Sequence, residues 1–226
     1  MKRGKNYLNS LKKIDRNVVY EPKQAIDEVK KACYAKFDET IDVVMNLHLE
    51  KKHSIRGTLI FDHSFGKTKR VLVFAEGDAA AEAKEAGAEF IGSQDLIDKI
   101  AGGWMDFDIC IATPDMMKNV GKIAKVLGPK GLMPNPKVGT VTTEMKKAIE
   151  EIKKGKVEYR ADKTGNVHLG IGKKSMDSSQ LYNNFMILYR EILKRKPTDL
   201  KGDYIRKIYL SSTMGPSVKI DLAQIR

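Results

Sequence analysis

The sequence predicts an α/β protein of two domains. One is an α+β domain whose mainly antiparallel sheet is formed by both chain ends (residues 1–66 and 155–226). The other is a Rossmann-like α/β domain inserted between them (residues 67–154). Three observations carry this expectation. Apolar strand-like runs alternate with helix-like runs through the middle third, whereas both flanks are richer in strands. Charge divides along the same lines. Residues 1–66 hold 13 Lys+Arg against 9 Asp+Glu (+4), residues 67–154 hold 14 against 13 (+1), and residues 155–226 hold 14 against 7 (+7), so the flanks carry +11 of the net +12.

In the middle third, 70–75 is a continuous apolar strand bounded by Gly77, with a helix-forming run at 78–86. Phe90-Ile91-Gly92 reads as a short strand, Ser93 as an N-cap and 95–101 as a helix. A third strand is expected at 107–112. Thr113 then caps a helix with Pro114 at its first position, running to about Val126. After a proline-rich loop comes a last helix at 143–154. Strands alternating with helices imply a parallel sheet covered by helices.

The first flank opens with an amphipathic helix at 22–36, where Ala25, Ile26, Val29 and Ala32 share a face. A half-buried strand follows at 40–49. Ile41, Val43, Met45, Leu47 and Leu49 are apolar, while Asp42, Asn46 and His48 alternate with them. Another strand is expected at 56–61. In the second flank, 162–166 reads as a hairpin turn between strands at 157–161 and 167–171. A helix at 178–194 and strands at 204–211 and 218–222 complete the chain. It crosses between the domains near 66–69 and near Gly155, and two adjacent linkers permit hinge motion.

Several function classes are disfavoured. No apolar run is long enough to span a bilayer, and residues 1–6 are not followed by a signal-peptide core, so a cytoplasmic protein without membrane association is expected. Cys33 and Cys110 form no CxxC and read as reduced thiols, and the four histidines lack metal-ligand spacing. No metal or cofactor is expected. Ser64-Phe65-Gly66-Lys67-Thr68 ends like a phosphate-binding loop, but Phe61 stands where the first glycine belongs and a strand, not a helix, follows. Gly77 opens a helix after a strand without GxGxxG. Asp106 with Asp108, and Glu150 with Glu151, read as solvated faces. A two-domain enzyme holding a nucleotide in its cleft would need a phosphate loop or an acid–base cluster, and neither is legible. No helix-turn-helix or zinc module suggests DNA binding.

Positive charge concentrated on the flanks favours a polyanion. Four segments carry the chemistry. In Lys36-Phe37-Asp38-Glu39-Thr40, which joins the amphipathic helix to its strand, the residues by themselves make Phe37 a core anchor at an element boundary. His168, near Gly170, Gly172, Lys173 and Lys174, is either structural or placed where an RNA backbone approaches. Ser211-Ser212-Thr213-Met214-Gly215-Pro216 is a tight turn that either caps two strands or offers hydroxyls to 2′-hydroxyl and phosphate groups. The loop 128–140 holds three prolines and three glycines in thirteen residues, which excludes helix and central strand and leaves a rigid connector or a functional loop. Lys194-Arg195-Lys196 ends a helix, where cations complement the dipole.

The 128–140 loop and the Ser212-Thr213-Met214-Gly215-Pro216 motif resemble the signatures of the bacterial large-subunit ribosomal protein one family, the protein of the ribosome's mobile stalk, and the similarity covers nearly the whole chain. The resemblance implies a non-enzymatic constituent of the large ribosomal subunit, bound to rRNA at the base of that stalk. It implies movement or release of exit-site tRNA and, more weakly, translational repression through the protein's own mRNA. The rRNA contacts it implies are Lys36, Phe37, Thr40, His168, Gly170, Lys173, Ser212, Thr213, Met214 and Gly215. Lys130 and Lys137 would have an auxiliary role, because 116–143 contains five lysines and no acid. In one place the sequence departs from the family pattern. The connection spanning 50–56 is short and its charges differ, which leaves functional residues there unassigned.

Overall fold

The computed structural model describes residues 4–15, 18–50, 53–67 and 69–225. It is a mixed α/β structure that divides into two compact units, residues 1–65 with 159–226, and residues 66–158. Thr68 of the phosphate-loop-like motif, and Lys51 and Lys52 of the short connection, lie outside the described residues.

The first unit begins with α1 (Lys5–Leu11), β1 (Val19–Tyr20) and α2 (Pro22–Ala32). Strands β2 (Thr40–Leu47) and β3 (Arg56–Ile60) follow. The second unit supplies β4 (Val71–Phe74), α3 (Asp78–Glu85), β5 (Phe90–Gly92), α4 (Gln94–Ala101) and β6 (Ile109–Ala112). It continues with α5 (Met117–Val120), α6 (Ala124–Leu127) and α7 (Met145–Lys153). After β7 (Lys156–Arg160), the first unit is completed by β8 (Asn166–Lys173), α8 (Ser178–Lys194), β9 (Ile205–Ser212) and β10 (Ser217–Ile220).

The main sheet of the first unit has the order β1-β10-β9-β2-β8, so the two ends of the chain share one sheet. All its ladders are antiparallel except β1 on β10. Strand β2 lies near the middle and alternates perfectly, with Ile41, Val43, Met45 and Leu47 buried. The apolar stripes of α2 (Ala25, Ile26, Val29), which packs on β9 and β10, and of α8 (Leu181, Phe185, Leu188, Ile192), which packs on β8, are likewise all at most 1 % exposed. Helix α8 starts where the sequence places it because Asp177 and Gln180 form a capping box. β3 pairs with β7 as a separate two-stranded ribbon.

In the second unit, β5, β4 and β6 are parallel in that order. Alternation along β4 feeds both faces. Val71 and Val73 pack with Ala83, Met145, Ile149 and Ile152 on one side. Leu72 and Phe74 pack with Leu96, Ile97, Ile100, Val120 and Leu127 on the other. A strand buried on both faces reads as an unbroken apolar run, which is how 70–75 looked in the sequence.

Three local expectations need correction, and two short elements are new. The helix expected at 22–36 stops at Ala32, because Cys33 is extended and the N–H groups of Tyr34 and Ala35 turn to the Glu39 carboxylate. The helix expected to reach Val126 is two four-residue pieces joined by a 3₁₀ turn at Gly121–Ile123. The strands around 162–166 share only the bridge Ala161–Val167 before they part, β7 to β3 and β8 to β2. Helix α1 and strand β1 were not expected; seven and two residues are too short to show a period.

The turn itself is tightly bonded. Asp162 Oδ1 accepts from the N–H of Asn166 and from both the N–H and the hydroxyl of Thr164, each at 2.8 Å. Gly165 takes φ 82°, and a Cβ there would lie 2.7 Å from the Leu47 carbonyl oxygen. The Asn166 N–H leads the donors that, against desolvation, hold the Asp162 carboxyl well below the usual carboxylate range. A carboxyl depressed in the folded state adds stability that is complete above its unfolded value, near pH 4, and is lost as pH falls further. Asp162→Asn is therefore expected to flatten the decline in melting temperature between about pH 4 and pH 2. A melting series with the same acid limb as the parent chain would remove this role from Asp162.

Candidate nucleic-acid interface

The candidate residues converge at the end of the main sheet where β2 begins and β9 ends. The register pairs Thr40 with Lys173 on β8 and Ile41 with Ser212 on β9. Three connections therefore meet: 33–39 between α2 and β2, 173–177 between β8 and α8, and 212–216 between β9 and β10. Lys36, Phe37 and Met214 project from them into solvent. Phe37 is 55 % and Met214 50 % exposed, both among the most exposed large apolar side chains of the described residues. Phe37 is thus not a core anchor.

The connections are locked to one another. Thr40 N–H donates to the Thr213 hydroxyl (3.0 Å), and Thr213 N–H donates to the Thr40 carbonyl (3.0 Å). Lys173 Nζ donates to the Thr40 hydroxyl at 2.7 Å. The Tyr34 hydroxyl donates to the Met214 carbonyl at 3.0 Å. Asp38 accepts from both the N–H and the hydroxyl of Ser175. Lys30 Nζ donates to the Met176 carbonyl at 2.6 Å.

Ser212 differs from its neighbours in being only 3 % exposed. Its hydroxyl accepts from Gly215 N–H at 3.1 Å and bonds the Glu39 carboxylate, so it supports the turn from beneath. Gly215 is needed there, since a Cβ would fall 2.4 Å from the Ser212 oxygen. Gly170 and His168 lie further along β8, opposite Asp42 and Val44 on the sheet face that carries no helix. A Cβ on Gly170 would press on Thr40 and Asp42 at 3.1 and 3.3 Å. His168 sits four residues along from the Thr40 row, roughly 13 Å at strand rise. Its side chain is 60 % exposed, and its Nε2 lies 3.6 Å from Asp162 Oδ2. It is separate from the tip. Burial pushes the Asp42 carboxyl up, opposed by Lys173.

Lys130 and Lys137 belong to the second unit and are exposed. Their loop is ordered. Asn135 Oδ1 accepts from Lys137 N–H (2.8 Å), Asn135 N–H donates to the Thr140 hydroxyl (2.7 Å), and a 3₁₀ turn spans Pro136–Val138.

Sequence reading missed Tyr34, Glu39 and Ser175, whose hydrogen bonds hold the tip together. Glu39 alone of the three left a signal, as one of two adjacent acids, Asp38 and Glu39, between Phe37 and Thr40 in a flank of net positive charge.

Among the described residues no cluster of three or more His, Cys, Asp or Glu could hold a metal, and no helix is long and apolar enough to cross a membrane. Cys33 is half-buried, and burial raises its thiol above the ordinary value, as it does for the buried Cys110. Neither is primed as a nucleophile.

A basic flank, a rim of bonded loops and two exposed apolar side chains define a binding protein rather than a catalyst. The chain belongs to the ribosomal protein L1p/L10e family, whose pattern it matches over residues 29–216. It is 55 % identical over 221 residues to the large ribosomal subunit protein uL1 of Treponema denticola, with 98 % of each chain covered. It is 51 % identical over 220 residues to uL1 of Borrelia hermsii, covering 97 % of this chain and 98 % of that one. Both relatives are named as ribosomal proteins, and the family is non-enzymatic.

Proposed function

We propose that the chain is a structural constituent of the large ribosomal subunit that binds rRNA at the base of the mobile stalk through the tip of its first unit. The observation that supports this most is the joint exposure of Phe37 and Met214 on mutually bonded loops of the basic flanks. Neither side chain has a packing reason to face water, and both suit a sugar face or an unstacked base. Lys36 and Lys173 supply positive charge beside them, and Thr40, Thr213 and the Gly215 backbone offer polar groups. Ring and thioether contacts bring shape selectivity, whereas lysines alone would bind any polyanion.

On this reading the second unit makes a looser contact through Lys130 and Lys137 and takes part in moving or releasing exit-site tRNA. The same tip would bind the protein's own mRNA if that message reproduces the fold of the rRNA site, which gives translational repression.

The test is binding of the full chain to a stalk rRNA fragment and to an unrelated hairpin over a salt series. Selective binding to the stalk fragment that persists at high salt is expected. Equal, steeply salt-dependent affinity for both RNAs would reduce the protein to a basic surface. Lys130→Ala with Lys137→Ala is expected to weaken the stalk complex by no more than about three-fold, since two peripheral phosphate contacts are at stake. A larger loss would move the principal site to the second unit.

A further inference from the structure

Glu39 is an acid at the centre of a site that should receive a polyanion, and it is completely buried. Its carboxylate has no outward role. Oε1 accepts from the N–H groups of Tyr34 (3.0 Å) and Ala35 (2.8 Å). Oε2 accepts from Met214 N–H (3.2 Å), and the Ser212 hydroxyl bonds the same group. The Glu39 carbonyl accepts from Lys174 N–H at 2.8 Å. One residue thus ties together all three connections that present Lys36, Phe37, Lys173, Thr213, Met214 and Gly215.

We propose that Glu39 is the positioning residue of the RNA-binding tip: its buried carboxylate joins the 33–39 loop to the 212–215 turn and sets Phe37 and Met214 before RNA arrives. The proposal rests on the RNA-binding reading of the tip. Desolvation alone would raise this carboxyl, but the Ser212 hydroxyl and the N–H groups of Ala35, Met214 and Tyr34 outweigh it and leave it below its ordinary value. The group is therefore an ionised, acceptor-only anion at neutral pH. Its charge is met locally by converging donors and is shielded from a phosphate outside.

Only a group with two acceptor oxygens fits. A glutamine has one, so its amide N–H₂ must face donors on one side. Ser212 can rotate its hydroxyl to accept, but Met214 N–H cannot become an acceptor. Glu39→Gln should therefore free the 212–215 turn while leaving the core packing of β2 intact. Holding a binding surface in its bound form lowers the ordering cost of association, so the loss should appear in affinity.

The test uses the full chain and two readouts. In amide hydrogen exchange of the free protein, Glu39→Gln should speed exchange at Met214, while Tyr34 and Ala35, which face the remaining amide oxygen, and the β2 core amides keep their protection. In stalk-fragment binding it should weaken affinity by about ten-fold or more with an unchanged salt slope, because Glu39 meets no phosphate. Lys36→Ala, by contrast, should reduce that slope by about one contact. Glu39→Asp keeps charge and both acceptors, should fall between parent and Gln, and replaces the Gln variant if that does not fold. Unchanged exchange at Met214 would overturn the proposal, and so would weakened binding with an altered salt slope. If the parent chain fails to distinguish stalk RNA from a hairpin, the RNA reading falls, and the exchange result alone decides whether Glu39 positions the tip.

Discussion

Phe37→Ala combined with Met214→Ala is expected to weaken binding to the stalk rRNA fragment by about 100-fold while leaving the melting temperature where it is. Stacking of the Phe37 ring on a base contributes about 1–3 kcal/mol and covering the half-exposed Met214 side chain about 1 kcal/mol more, and each 1.4 kcal/mol is a factor of ten, so together they suffice. Stability should not change, because both side chains are at least half exposed and the bonds of the tip involve backbone and other residues. Anisotropy titrations of each single variant and the pair would show whether the two act independently. Parent-like affinity in the pair would mean that the exposed apolar rim does not meet RNA, and the lysines would then have to account for binding.

The largest expected loss of stability lies behind the tip, in the core between α8 and the main sheet. Phe185 is fully buried and stacks with Tyr189 at a centroid distance of 6.3 Å. Phe185→Ala removes a ring from a close-packed interior and is expected to cost about 3–5 kcal/mol. That is a large part of the roughly 5–15 kcal/mol by which domains are stable. Leu193→Ala on the same helix should be nearly neutral, because Leu193 is 41 % exposed. Urea denaturation followed by circular dichroism would separate the two. Trp104, the single tryptophan, packs in the other unit against Phe90 and Phe107 and serves as an internal reference. A Phe185→Ala midpoint within error of the parent would mean that α8 is not the main support of the sheet.

Some elements were legible because their residues repeat with the period of their own structure. β2 shows a two-residue alternation, so its buried face follows from the sequence alone. α8 carries both its capping box and its apolar stripe, and its bounds agree with the expectation. β4 is apolar throughout because helices cover both of its faces. Boundaries were less legible wherever a distant group competed for the backbone. The helix before β2 ends at Ala32, since the Glu39 carboxylate takes two N–H groups that a longer helix would have used.

The candidate site divides in the same way. Thr213, Met214, Gly215, Phe37 and Thr40 could be singled out from their types and the motif around them. Their meeting could not, because 173 residues separate Thr40 from Thr213 and only the β2–β9 register joins them. Nor could the sequence tell that Phe37 faces water, that Ser212 lies beneath the turn, or that His168 stands away from the tip. By itself the sequence determined the mixed α/β class and the basic flanks, because these depend on composition and short-range periodicity, while the candidate RNA contacts came from the resemblance of its motifs to a family. Tertiary structure decided which of those groups are free and which are bonded to one another, because hydrogen bonds between distant connections have no local pattern to read.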